Sequence, residues 1–202
     1  AEMELKGIRI DKEKLQAFKA EWQTEVSAIE RKYPGTSFTS SMQKAALLKS
    51  MGIQIQEVTK TGRLSTAKSV LGNYESPPTR DMLRHSELSK LVSTYTDYKL
   101  DANQRVHPEF NQVRADADEG TGATATGRLS SRKPNFQNIP GRTEDGKKVR
   151  QCVVAAAGNT LVSFDYDQIE MLIMWYRAGE TKMLQFYAEG GDAHTGTAAF
   201  LY

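Results

Sequence analysis

The feature that most limits the fold is a run of large apolar side chains spaced three and four residues apart. Leu15, Phe18, Trp22, Val26, Ile29 and Tyr33 recur in this way. A helix places such residues on one face, whereas a half-buried strand needs strict alternation. Asp11 stands where an N-cap belongs, Glu13 lies near the positive end of the helix, and Pro34-Gly35 closes it. A second, shorter helix is predicted over 41–51, with Gly52 as its stop. Residues 60–63 read as a turn, and Ser65 as the cap of a brief helix reaching Leu71. Pro77-Pro78 resets the chain. A long helix follows with Leu83, Leu88, Leu91, Val92 and Tyr95 on one face. Residues 1–100 therefore read as a helical region.

After Leu100 the texture changes. Val106 to Val113 is compatible with a strand, with Pro108 marking an edge or a bend. RADADEGTG at 114–122 and most of 130–148 read as loop. Two strands are predicted, over 151–156 and 160–164, joined by a turn at Gly158-Asn159. Helices follow over 168–178 and 181–189. The expected class is α+β, with a helical region at 1–100 and an α+β region at 101–202.

Composition narrows the function classes. One cysteine in 202 residues excludes an internal disulfide framework and a cysteine-based zinc site. No apolar run approaches the roughly 20 residues of a spanning helix. The N-terminal segment is not a secretory signal. The expectation is a soluble protein of a reducing compartment. Both ends look cut, which predicts a fragment or one part of a split protein. The net charge of +2 is too small to name a partner by itself.

Three segments are able to carry chemistry. In LVSFDYDQIE, 161–170, an apolar run delivers Asp165 to the start of a helix. Hard cations such as Mg²⁺ favour carboxylates held this way, with substrate phosphates completing the shell. The competing reading makes Asp165 a strand-end residue and Asp167 a helix cap. In the stretch 127–151, seven basic residues (Arg128, Arg132, Lys133, Arg142, Lys147, Lys148 and Arg150) face two acids, a local excess of five. Its amides and guanidiniums suit phosphate and groove-edge contacts, though a solvated basic loop has the same composition. His194 starts a helical pattern, where it either meets an anion or serves as an ordinary surface histidine. Cys152 reads as a buried core residue.

Taken together, TATGRLSSRKPNFQNIP, RQCVVAAAGNTLVSFDYDQIE and GDAHTGTAA, in this order, resemble the family A DNA polymerases. DYDQIE is similar to the family's first palm motif. GIRIDKEKL, the KTG…ST stretch at 60–66 and ELSKLVSTYTDY resemble its thumb. The acidic loop before TGRLSS is closest in style to phage-encoded members.

The resemblance implies a helical thumb joined to a partial palm built on an antiparallel sheet, and a two-metal-ion transfer of a nucleotide from dNTP to a primer 3′-hydroxyl. Asp165 matches the aspartate that bridges two Mg²⁺ ions, and the carbonyl of Tyr166 a further ligand. Glu170 matches the glutamate that excludes a ribose 2′-hydroxyl. Gln168 and Ile169 shape the nucleotide pocket, His194 contacts the nucleotide phosphates, and Arg142 lies close to that site. Arg128 matches a minor-groove reader at the primer terminus. Asn135, Gln137 and Asn138 line the same duplex track, and Lys90 and Thr94 the thumb's contact with the backbone. The implied location is the cytoplasm of a bacterial or phage-infected cell, with no membrane partner.

The departures are Asp167 where serine is usual, and Met171-Leu172 where Leu-Arg is usual. The fingers helix and the second palm motif, His-Asp-Glu, do not occur in these 202 residues. The expectation is therefore that this chain polymerises only with a further segment that supplies them. The alternative is a non-catalytic fragment that grips primer–template DNA. A structural protein that has lost DNA binding is disfavoured, because Asp165, Glu170, Arg128 and His194 stand together at matched spacing.

Overall fold

The computed structural model describes residues 2–111, 128–192, 195, 196 and 198. It divides into two compact units, residues 1–159 and residues 160–202.

The first unit begins with α1 (Glu2–Lys6) and β1 (Ile8–Arg9). The predicted amphipathic helix is α2 (Lys12–Lys32), capped by Asp11, whose Oδ1 accepts from Lys14 N at 3.0 Å. Leu15, Trp22 and Ile29 are its buried stripe. The shorter helix is α3 (Ser41–Ser50), and Gly52 beyond it takes a positive φ of 77°. α4 (Lys68–Leu71) starts later than Ser65 predicts, with Ala67 at its N-cap. The long helix α5 (Pro77–Tyr95) begins at the two prolines rather than after them. A proline at the first helical positions costs nothing, since its missing N–H has no intrahelical acceptor there. Ser76 and Thr79 form a capping box in front of it. The buried face of α5 carries Met82, His85, Leu88, Leu91 and Tyr95, while Leu83 is only half-buried.

Among the described residues, two short antiparallel ladders complete this unit. β1 pairs with β2 (Arg105–Val106), and β3 (Glu109–Asn111) pairs with β4 (Ser130–Arg132). Pro108 interrupts the strand predicted from 106 onward, as a residue without an N–H must. The acidic loop at 114–122 lies outside the described residues. The segment 130–148 is mostly loop, as predicted, but α6 (Glu144–Gln151) occupies its end. Thr143 caps α6 by accepting from Gly146 N at 3.1 Å. Gly146 disguises this helix in the sequence, yet a Cβ there would stand 2.5 Å from Pro140 O.

The strand predicted at 151–156 is absent. Gln151 ends α6, buried Cys152 caps it, and Val153 makes a single bridge to Ile10. The turn predicted at Gly158-Asn159 forms one residue earlier, over 157–158, with Gly158 at φ 74°. Residues 160–164 form no ladder among the described residues. The predicted hairpin fails because a β-prone run is a strand only when a partner takes up its N–H and C=O groups.

The second unit contains α7 (Ile169–Ala178) and α8 (Thr181–Ala188), close to the predicted helices. No helix among the described residues is long and apolar enough to cross a membrane.

Candidate nucleic-acid interface

In the first unit the segment 128–142 is a polar rim tied down at several points. β4 holds Ser131, which is buried beneath it. Ser131 Oγ donates to Pro134 O at 3.1 Å, and Ser131 N donates to Gln137 Oε1 at 3.0 Å. Gln137 Nε2 reaches back to Leu129 O at 2.9 Å. Both ends of the Gln137 side chain are therefore committed to the loop's own backbone. Gln137 is nevertheless exposed along the rim. Asn135 also bonds within the loop, its Oδ1 accepting from Gln137 N at 3.0 Å.

The far end of the rim is anchored to α5. Tyr95 Oη donates to Asn138 O at 2.7 Å. Phe136 stacks on Tyr98 with ring centroids 5.2 Å apart. Arg150 Nη2 donates to Ile139 O at 3.1 Å. Its guanidinium lies against Gly141, where a Cβ would stand only 2.8 Å from it and collide. Asn138 and Arg142 are exposed, and neither side chain hydrogen-bonds or ion-pairs among the described residues. Sequence reading treats Tyr95 as core alone. The signal for its second role is a tyrosine, with a hydroxyl to place, where phenylalanine would pack as well.

Lys90 and Thr94 are four residues apart on α5 and both exposed, so they share one face. Lys90 borders a cleft of about 360 Å³ that Pro140 and Thr143 also line. Thr94 borders another of about 540 Å³, shared with Lys133 and Pro134. Both predicted α5 residues thus sit beside the rim.

The basic excess is smaller than the sequence count implies. Arg132 and Lys133 pair with Glu109 at 2.8 and 3.2 Å. Lys148 pairs with Glu21 at 2.6 Å, while the Lys147–Glu144 pair, also at 2.6 Å, lies within the count already. Surface pairs of this kind are weak and exchange for other anions at little cost. Arg128 is exposed at the start of the rim.

Beneath the rim is a buried charged pin. Asp145 Oδ1 accepts from Trp22 Nε1 at 2.8 Å, and Asp145 Oδ2 accepts from Arg84 Nη1 at 2.5 Å. Arg84 also grips Glu25 in a bidentate pair at 2.7 and 2.9 Å. Burial by itself raises the Asp145 carboxyl pKa. The bonds from Trp22 and Arg84 outweigh it and hold the group below its ordinary range. The pin locks α6, and so the end of the rim, onto α2 and α5.

In the second unit, Asp165 and Tyr166 precede α7 and are exposed, Tyr166 by 77%. Asp167 does not cap α7. The N-cap is Gln168, in the left-handed region at φ 50°, without a side-chain cap bond. The loop is held from α8 instead, where Tyr187 Oη donates to Asp167 O at 2.9 Å. Gln168 Nε2 donates to Asp192 Oδ1 at 2.5 Å, and Asp192 Oδ2 accepts from Thr195 N and Oγ1 at 2.8 Å each. Ile169 and Glu170 are exposed on the first turn of α7. Met171 and Leu172 are half-buried, so an apolar residue at 172 suits its place. His194 lies outside the described residues.

The donor set at 165–166 suits a hard cation, since a carboxylate and a backbone carbonyl are both oxygen ligands. It is incomplete as it stands. Among the described residues no group of three or more His, Cys, Asp or Glu side chains is placed to hold a metal ion.

The family model described as DNA polymerase family A matches residues 12–202. The thermostable DNA polymerase I of Thermus thermophilus is 37% identical over the whole chain, which spans 25% of that protein. DNA polymerase I of Chloroflexus aurantiacus is 33% identical, again over the whole chain and 22% of its own length. Among solved structures, the POL domain of Pol1 from M. smegmatis, in complex with DNA primer-template and dNTP, matches at a TM-score of 0.75 and 28% identity. The match covers 96% of this chain and 35% of that one. The chain thus spans about a quarter of the length of its curated relatives.

Proposed function

Because the chain belongs to DNA polymerase family A, we propose that it forms part of a template-directed DNA polymerase, with residues 1–100 as thumb and 101–202 as the first part of the palm. The observation that carries this reading is the family match over 12–202, which runs through both the tethered rim and the DYDQIE segment.

In this reading the rim and α5 grip the primer–template duplex. Lys90 and Thr94 follow the phosphate backbone beside the rim. Arg128 meets the minor groove at the primer end, where acceptors stand at every correct pair and a donor checks geometry without reading sequence. Asn135 and Asn138 extend that track, and Gln137 keeps it in shape. Arg142 faces the incoming nucleotide, and His194 contacts its phosphates.

The reaction joins the primer 3′-oxygen to the nucleotide's α-phosphorus and releases pyrophosphate. Asp165 and the Tyr166 carbonyl would hold Mg²⁺. When bound, the ions supply Lewis-acid stabilisation of the attacking and leaving oxygens. Glu170 fills the space beside the sugar C2′, and Gln168 and Ile169 shape the pocket around it. One motif carboxylate does not hold two ions at working geometry. Catalysis therefore draws a second carboxylate from a further polymerase segment carrying the fingers and the second palm motif. Its cover would also suit Leu161, Val162 and Phe164, which are 60%, 77% and 88% exposed. A cytoplasmic location accords with this role.

The test begins with the anisotropy of a labelled primer–template across a salt series. Binding should weaken with salt and weaken further in Arg128→Ala. Addition of a polypeptide bearing the fingers and second palm motif should then restore nucleotide incorporation, and Asp165→Ala should abolish it. Binding without restored incorporation would reduce the chain to a DNA-gripping fragment. No binding at low salt would remove the interface reading.

A further inference from the structure

The short β1–β2 ladder brings Arg9 and Arg105 directly opposite one another. Cross-strand partners rise from the same face, and like charges so placed repel. Both arginines line a cleft of about 480 Å³, together with Ala102, Asn103, Gln104 and Ala156. No acidic residue lines it. Arg105 is partly relieved, since its Nη1 donates to Lys6 O and Gly7 O at 3.1 Å each. Arg9 is not. Its Nε is buried and has no hydrogen-bond partner among the described residues. A buried guanidinium Nε without an acceptor, beside a second guanidinium, is unfavourable unless an anion joins them.

The frame around the cleft is fixed in advance. Arg9 O accepts from Val154 N at 3.1 Å, and Ile10 N donates to Gln104 O at 2.9 Å. Asp101 Oδ1 accepts from Asn103 N and Arg105 N, both at 2.8 Å. Gln104 N donates to Asp101 O at 3.1 Å, and Asp101 N to Arg105 O at 2.9 Å. The amides of Asn103, Gln104 and Arg105 are thus spent on Asp101. The donors that remain for a ligand are side-chain groups: the Arg9 guanidinium, the Arg105 nitrogens other than Nη1, and the amides of Asn103 and Gln104.

We propose that this cleft binds a phosphate-class oxyanion between Arg9 and Arg105. Two guanidinium charges with no lining acid match a dianion, whereas a single carboxylate answers only one of them. The planar fork of arginine fits phosphate oxygens in pairs. None of the lining residues belongs to the interface described above, so the site stands whether or not the polymerase reading does. Its ligand is either a free phosphate ion or a phosphate carried on a nucleic acid.

The test is calorimetric titration of the 202-residue chain with sodium phosphate, against chloride at matched ionic strength, alongside thermal unfolding. The chain should bind phosphate saturably and melt higher in its presence. Arg9→Gln should weaken binding by at least about tenfold. Without phosphate the same variant should melt no lower than the parent, because repulsion and the orphaned donor are both removed. Arg9→Lys keeps the charge and the stem, and should fall between the two. Oligonucleotides with and without a 5′-phosphate separate the sources. Displacement of phosphate by the phosphorylated strand alone identifies a terminal phosphate. Displacement by both identifies the backbone, and by neither a free ion. Absence of saturable phosphate binding, or binding unchanged in both Arg9 variants, would overturn the proposal. So would an Arg9→Gln variant destabilised equally with and without phosphate, which marks a purely structural arginine.

Discussion

Residues 1–159 and 160–202 differ in how much apolar surface each closes off by itself. In the first unit Trp22, Leu48, Met82 and Leu88 are fully buried, within clusters that join α2, α3 and α5. In the second, Trp175 is the one buried hydrophobic among the described residues. Phe164, Tyr166 and Tyr176 are 88%, 77% and 77% exposed there. The second unit is not poorer in apolar residues. It has two short helices and no paired strand among the described residues, so its apolar side chains outnumber the partners available to cover them. A hydrophobic sequence makes a core only when enough elements meet around it.

The comparison breaks first at the buried pin of the larger unit. Asp145→Ala should cost about 3–5 kcal/mol, since it strands Arg84 and leaves Trp22 Nε1 without an acceptor. Arg84 keeps 35% of its side chain in water, so the lower end is expected. Urea unfolding followed by tryptophan fluorescence measures it. Asp145→Asn keeps an acceptor for Trp22 and should cost less. A loss below about 1 kcal/mol for the alanine variant would mean that the pin behaves as a surface pair.

Hydrogen exchange sharpens the same contrast. Amides in the middle of α2 and α5 should exchange only through global unfolding of their unit. Those of α7 and α8 should exchange at least about tenfold faster, because fewer buried contacts oppose their opening. Equal protection in both pairs of helices would erase the difference.

The pin also gives the larger unit a pH dependence. The Asp145 carboxyl is held below its ordinary value of 3.8. Its contribution is therefore present above that value and is lost as pH falls through the lower folded one. Acid titration of stability should show this loss, and Asp145→Asn should flatten it. His107 runs the other way. Its ring is raised above 6.5 by the Glu4 carbonyl and then by Asp101. The favourable state is complete below 6.5 and is lost as pH rises through the folded value. An NMR titration of the ring should find its midpoint above 6.5.

How much of this is legible in the sequence follows from the range of the forces. Local signals read well. The three-and-four spacing in α2, the Asp11 cap and the Gly52 stop all act within one or two turns, and each stands where the sequence predicts it. What depends on a distant partner does not read. The strand over 160–164 needs a neighbour, and β-propensity alone does not supply one. α6 is hidden by Gly146, whose reason is the close approach of Pro140. At the candidate site, the residues facing outward are legible as a basic, amide-rich run. That Glu109 and Glu21 offset part of its charge is not, since Glu21 lies more than a hundred residues from Lys148. Nor are the bonds of the Gln137 amide to Ser131 N and Leu129 O, which tie the loop to itself.

The smallest expected effect is the most discriminating one for the smaller unit. Val162 and Phe164 are exposed, so replacing both with serine removes almost no buried area. Substitutions at such positions usually change stability by no more than about 0.5 kcal/mol. The double variant should therefore unfold at the same urea concentration as the parent. It should nevertheless bind less of a hydrophobic dye and stay monomeric to higher concentration, because a contiguous exposed apolar patch drives association. Dye fluorescence and light scattering measure both. A large loss of stability would mean instead that 160–164 is already packed in solution, and the contrast between the two units would fail at its sharpest point.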